Sequence, residues 1–137
     1  RAGVNALIQG IDHLARKRLP VLVVMCTNRL SAIDPAVRRR AAQVFEFARP
    51  NYHQRRAVLE SGLRDIGFDP CQLEQLAQVT GEQPGRPYGY TYSDLIQRLL
   101  PAIVVDAFPS QPIRYERVLE IAASMMPTPP FQEHSGT

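Results

Sequence analysis

Asn28 stands at the polar end of the apolar run Val21-Leu22-Val23-Val24-Met25-Cys26, and Arg38, Arg39 and Arg40 follow one another a short way on. A neutral amide both donates and accepts hydrogen bonds without adding charge. A guanidinium stays charged and presents a planar fork to phosphate oxygens. Each signal has a plainer alternative. Thr27-Asn28 can cap a turn after a strand, and three arginines can form a solvated basic helix end. Successive helix residues point about 100° apart, so all three arginines cannot face one phosphate. The histidines His13, His53 and His134 have no carboxylate or cysteine at ligand spacing, so no metal site is expected. No serine is framed as a nucleophile.

These residues need elements to hold them. Val4, Leu7, Ile8, Ile11 and Leu14 make residues 2–15 an amphipathic helix. Arg16-Lys17-Arg18 suit its C-terminal dipole, and Leu19-Pro20 ends it. The run 21–26 is β-branched and continuous, which predicts a strand buried on both faces of a parallel sheet. Asp34-Pro35 predicts a short helix, with Asp34 as N-cap and Pro35 in the first helical position. Gln43-Val44-Phe45-Glu46-Phe47 alternates and predicts a second short strand. Residues 52–64, 70–79, 92–108 and 114–126 are then expected as helices. Ala57, Val58, Leu63 and Ile66 stripe the first, and Leu73, Leu76, Ala77 and Val79 the second. Leu95, Ile96, Leu99, Leu100 and Ile103 stripe the third, which Pro101 should kink or interrupt. Val118, Leu119, Ile121 and Ala122 stripe the fourth. The fold class expected is an α/β fragment followed by an all-α four-helix bundle, predominantly helical overall. Its parts are residues 1–49, residues 50–128, and a Pro-rich tail over 129–137 expected to fray.

Composition agrees with a globular chain. Hydrophobic residues are 45% and charged residues 21% of the 137. Sixteen basic against thirteen acidic residues leave a net charge of +3, too mild to indicate nucleic acid. Lys17 is the only lysine, an arginine bias of the kind high-GC bacterial genomes impose. No apolar run reaches the ~20 residues that span a bilayer, and no secretory signal is present. Cys26 and Cys71 form neither a disulfide framework nor a zinc spacing, so a reducing cytoplasm is the default. The start at Arg1-Ala2-Gly3, without Met, reads as a stretch from inside a larger protein.

The block from Val21 through Thr27-Asn28-Arg29, a short spacer, Asp34-Pro35-Ala36 and Arg38-Arg39-Arg40 closely resembles the second half of an AAA ATPase module. Val4-Asn5-Ala6-Leu7-Ile8-Gln9-Gly10-Ile11-Asp12 is similar to the helix after the Walker B strand. Gly89-Tyr90-Thr91-Tyr92-Ser93-Asp94-Leu95 is similar to the lid segment usually written Gly-aromatic-Ser-Gly-Ala-Asp-Leu, and Pro127-Thr128-Pro129 to the end of the last lid helix. The resemblance covers about residues 1–130. It implies the end of a P-loop-type sheet domain over 1–49 and a helical lid over 50–128. By the same resemblance Asn28 is sensor 1, holding the attacking water and touching the γ-phosphate. Arg39 is the arginine finger supplied to a neighbouring subunit, an effect worth ~10³–10⁵ in rate. Ala41-Ala42-Gln43 replaces the family's Gly-Arg-Phe-Asp, so either Arg40 substitutes as a second finger or there is only one. Tyr92 and Ser93 fall where small residues approach the base; Tyr92 stacks on adenine or is a core tyrosine. Arg98 approaches phosphate as a sensor 2 arginine, or lies on the surface. Glu82 to Tyr88 is an insertion without a family counterpart, expected as an exposed loop.

The absences matter equally. No Gly-x-x-x-x-Gly-Lys-Ser/Thr and no apolar strand ending in Asp-Glu occurs. The resemblance therefore implies ATP and magnesium as cofactors of the intact protein, with neither bound tightly by this chain, which is expected to be inactive by itself. It also implies a ring homo-oligomer, hexameric in this family, acting on a protein substrate in the cytoplasm. Two rivals stand beside it. One is a non-catalytic helical module whose arginines dock an acidic partner. The other is a stand-alone regulator without a P-loop that still donates a finger.

Overall fold

The computed structural model describes residues 1–131, which fall into two compact units, Arg1–Glu46 and a second from Phe47 onward. His134 and most of the tail expected over 129–137 lie outside the described residues.

The first unit holds helix α1 (Ala2–Arg16), a 3₁₀ turn over Leu30–Ala32 and the short helix α2 (Pro35–Arg38). The Asp34 side chain accepts from the Ala36 N–H at 2.8 Å and Pro35 follows it, so α2 begins as the sequence predicts. Val37 is the one buried hydrophobic residue of this unit. The expected strands at 21–26 and 43–47 do not form, and the described residues contain no strand. The α/β part of the fold expectation is corrected accordingly. A strand is stable only when neighbours take up its N–H and C=O groups and cover its faces. The described residues supply no such neighbours, and Leu22 is 86% and Val24 71% exposed.

The second unit is an all-α bundle. Helix α3 spans Tyr52–Gly62, α4 Pro70–Val79, α5 Leu100–Ala107 and α6 Tyr115–Ser124. Both α3 and α4 open on a full capping box. Asn51 accepts from Gln54 and Asp69 from Gln72, and each glutamine side chain returns to the cap N–H. The core joins Leu59, Leu63, Leu73, Leu76, Ala77, Tyr90, Leu95, Leu99, Ile103, Val118 and Ala122. Pro101 does not interrupt its helix. Residues Asp94–Leu99 form π-helical turns that run directly into α5. The wider turns accommodate the carbonyl that Pro101, lacking an N–H, leaves without a donor, and the bulk of its ring. They also turn Ile96, expected in the apolar stripe, outward to 52% exposure.

Candidate functional site

In the first unit, Asn28 lies exposed at a bend. Thr27 takes the turn-capping role, its hydroxyl accepting from the Arg29 N–H at 3.0 Å. Without a sheet among the described residues, no strand end positions the Asn28 amide. The three arginines follow Val37, whose burial seats α2. They separate chemically. Arg40 donates to both Asp12 oxygens, at 2.7 and 2.9 Å, and to the Ala36 carbonyl at 2.8 Å. That hydrogen bond holds the Asp12 carboxyl below the ordinary carboxylate range. Arg40 is thereby committed inside its own unit. The side chains of Arg38 and Arg39 are exposed and have no partner among the described residues. The structure thus sets Arg40 apart from Arg38 and Arg39 but does not separate those two from each other.

In the second unit, Tyr92 and Ser93 sit at the start of the helical segment that leads into α5, and Arg98 lies one turn further on. Thr91 and Asp94 set that start by bonding reciprocally. The Asp94 N–H donates to the Thr91 hydroxyl and the Thr91 N–H to the Asp94 carboxylate, each at 3.0 Å. Tyr92 is 41% exposed and lies outside the core, against the reading as a core tyrosine. The Ser93 hydroxyl bonds Gln97 at 3.0 Å. Arg98 reaches back one turn to Asp94 at 2.9 Å, yet its side chain remains 43% exposed while that of Asp94 is wholly buried. Asp94 itself is the residue that inspection of the sequence undervalued. Burial pushes its carboxyl up. The hydrogen bonds from the Thr128 hydroxyl, the Thr91 and Thr128 N–H groups and Arg98 outweigh that and hold it far below the ordinary carboxylate range. The Thr91-x-x-Asp94 spacing was the signal that could have found it.

Tyr90, on the same segment, is fully buried, and its hydroxyl donates to the Ala122 carbonyl at 2.6 Å and the Met125 carbonyl at 3.1 Å. The insertion 82–88 is exposed in part but tightly stitched. Gln83 and Arg86 pair across Pro84-Gly85, where Gly85 takes a φ of 79° that favours glycine. Gln83 donates to the Gln78 carbonyl, and Arg86 to the carbonyls of Gly81 and Tyr88. The insertion thereby adds a second donor to the Gln78 carbonyl at the C-terminus of α4, which also accepts from the Gly81 N–H. It borders a cleft of about 500 Å³ with Arg49, Tyr52 and Arg55. The arginine donors there are already engaged by backbone. Arg49 bonds Gly89, and Arg55 bonds Pro50 and Ala77. The described residues hold no metal-binding group of His, Cys, Asp and Glu side chains, and no helix long and apolar enough to cross a membrane.

No family model matches the sequence. The chain is 46% identical over 131 residues to CD-NTase-associated protein 6 of Escherichia coli strain MS 115-1, covering 96% of this chain and 42% of that protein. It is similar to the structure of a Rhizobiales Trip13, at 52% identity and a TM-score of 0.85, over 95% of this chain and 49% of that one. It is also similar to a chain in the structure of the E. coli MS115-1 HORMA:CdnC:Trip13 complex, at 45% identity and a TM-score of 0.92, over 96% of this chain and 44% of that one. A shorter stretch is 39% identical over 77 residues to ATPase family AAA domain-containing protein 2 of Pongo abelii, over 53% of this chain and 7% of that protein. The chain spans less than half the length of the relatives it matches along nearly its full extent.

Proposed function

We propose that this chain is the C-terminal part of a Trip13-like AAA ATPase, contributing the end of the α/β subdomain and the helical lid to a machine that uses ATP hydrolysis to remodel a protein partner. The observation that carries this reading is the likeness to the Rhizobiales Trip13 structure, a TM-score of 0.85 over 95% of this chain, together with a TM-score of 0.92 to a chain in the structure of the HORMA:CdnC:Trip13 complex. The partner class follows from the same source: a HORMA-containing assembly.

The residues present fit part of a nucleotide site. In this reading the Asn28 amide orients water by donating and accepting at once. Arg39 reaches a phosphate bound by the neighbouring subunit, supported by its unengaged guanidinium next to the committed Arg40. Arg98 and the exposed Tyr92 and Ser93 face the nucleotide from the lid. ATP with magnesium supplies the phosphoryl group that these side chains handle. The chain has no Walker A lysine and no Walker B carboxylates to hold them, so tight binding and turnover belong to the intact, ring-forming protein. Hydrophobic burial supports the assignment of residues 1–46. The apolar face of α1 is only half-buried and the run 21–26 is exposed, as segments that complete a larger domain would be.

Arg39→Ala and Asn28→Ala in the intact gene product test the reading. ATP turnover is expected to fall on the order of 10³-fold for the arginine, and an Arg40→Ala variant is expected to retain more activity than Arg39→Ala. Normal turnover in both Arg39→Ala and Asn28→Ala removes the assignment and favours a non-catalytic module whose free arginines dock an acidic partner.

A further inference from the structure

Asp94 sits where three parts of the second unit meet. Its Oδ2 accepts from the Thr91 N–H at 3.0 Å and the Thr128 N–H at 2.9 Å. Its Oδ1 accepts from the Thr128 hydroxyl at 2.7 Å and from Arg98 at 2.9 Å. An ionised carboxylate has about four acceptor sites, and all are used. Three of the donors are neutral groups of the backbone or of Thr128. The fourth is the one cation, and its side chain is 43% exposed. The segment after α6 is fixed independently of Asp94. Tyr90 donates to the Ala122 and Met125 carbonyls, and Pro127 is fully buried. Residues 125–128 therefore form a strap laid against residues 90–94.

We infer that Asp94 is a positioning residue through which this strap sets the reach of the Arg98 guanidinium, because the Thr128 hydroxyl and Arg98 share a single carboxylate oxygen. While both donors are present, the negative charge on Oδ1 is divided between them. When the Thr128 hydroxyl is withdrawn, Arg98 becomes the sole donor to that oxygen and is drawn toward the buried carboxylate. A displacement of the strap at Thr128 is thus read out at an exposed cation one helical turn from Asp94. The coupling stands on the hydrogen bonds alone. Its consequence for nucleotide rests on the proposed reading of Arg98 as phosphate-facing, so two separate measurements are needed.

The first measurement follows the Arg98 side-chain Nε–Hε resonance by NMR in this chain. Thr128→Val removes the hydroxyl while keeping the shape and the backbone N–H. It is expected to shift the Arg98 resonance and reduce the side chain's fast motion, with Thr128→Ser restoring both. Thr128→Ala serves the same purpose should the valine disturb folding. The second measurement is the KM for ATP of the intact gene product. Thr128→Val is expected to raise it about fivefold, a fraction of what one hydrogen bond to a charged group is worth, with kcat within about twofold. In an Arg98→Ala background the Thr128→Val effect is expected to vanish, which a general loss of stability would not produce. An Arg98 resonance indifferent to both Thr128→Val and Thr128→Ala overturns the inference, as does a KM effect that persists without Arg98. If the resonance moves but Arg98→Ala leaves KM unchanged, the coupling holds and the phosphate-facing role of Arg98 fails.

Discussion

Tyr90→Phe tests how the second unit is held together. The ring is fully buried and its hydroxyl is the donor that closes the end of α6, at 2.6 Å to the Ala122 carbonyl and 3.1 Å to Met125. Phenylalanine fills the same space but leaves both carbonyls without that donor. The expected loss at pH 7 is about 1–2 kcal/mol, or a fall in Tm of roughly 5–15 °C for a unit of this size. The pH dependence is more discriminating. Burial pushes the Tyr90 phenol up from 10.0 to about 12. Below pH 10 both folded and unfolded states keep the proton, and this group does not make stability vary. Between pH 10 and 12 the unfolded state releases its proton while the folded state retains it, so stability falls as pH rises. At about 1.4 kcal/mol per pH unit, tapering as the folded phenol itself begins to ionise, wild type loses about 2 kcal/mol by pH 12 from this residue. The variant has no phenol there to lose. Urea unfolding at pH 7, 10, 11 and 12 should therefore show the wild-type advantage shrink and then vanish or reverse. A difference between the two proteins that stays constant across this range refutes the claim that the Tyr90 hydroxyl is buried and bonded as described.

Two further substitutions probe the frame around the site. Asn51→Ala and Asp69→Ala each remove one half of a reciprocal cap and are expected to cost about 1 kcal/mol apiece in urea unfolding, adding to about 2 in the double variant because the two caps share no partner. Gly89→Ala would bring its methyl group to 2.9 Å from the Thr80 carbonyl and 3.1 Å from the Gly81 Cα, both backbone atoms that yield poorly; a loss of about 1–3 kcal/mol is expected in thermal unfolding, and an unchanged Tm would contradict the close passage of the two chain segments.

The helices were legible because their signals are local. Asp34-Pro35 caps α2 through a bond that the dipeptide itself makes, and the stripes at Leu73, Leu76 and Ala77 or at Val118 and Ala122 are the residues that pack the core. What escaped was set by contacts distant in sequence. Leu59 is fully buried yet sits between Arg56 and Glu60 on a helix of weak stripe, and only packing against the rest of the bundle marks it as core. Tyr90 belongs to no stripe, and its burial depends on carbonyls more than thirty residues away. Pro101 was legible as a disturbance, but the remedy of wider turns before it was not, because it depends on where Asp94, Leu95 and Leu99 must point. At the candidate site the residue types were readable and their engagement was not. Three consecutive arginines look alike on paper, and Asp12, twenty-eight residues from Arg40, is what removes one of them from consideration.

The failure of the strand at 21–26 has a different cause, and it bears on function. Period and composition predict a segment with both faces covered, but in the structure no strand forms and Val21 through Met25 are all exposed. A continuous apolar segment exposed in this way is costly in water, at roughly 25 cal/mol for each Å² of apolar surface left uncovered. Such a segment persists in a sequence only if something covers it in the working protein. The second unit provides the contrast, with its apolar stripes closed into a core and its polar groups capped. One unit thus satisfies its own physics and the other does not. Asn28 and Arg39 both belong to the unit whose apolar run is left uncovered.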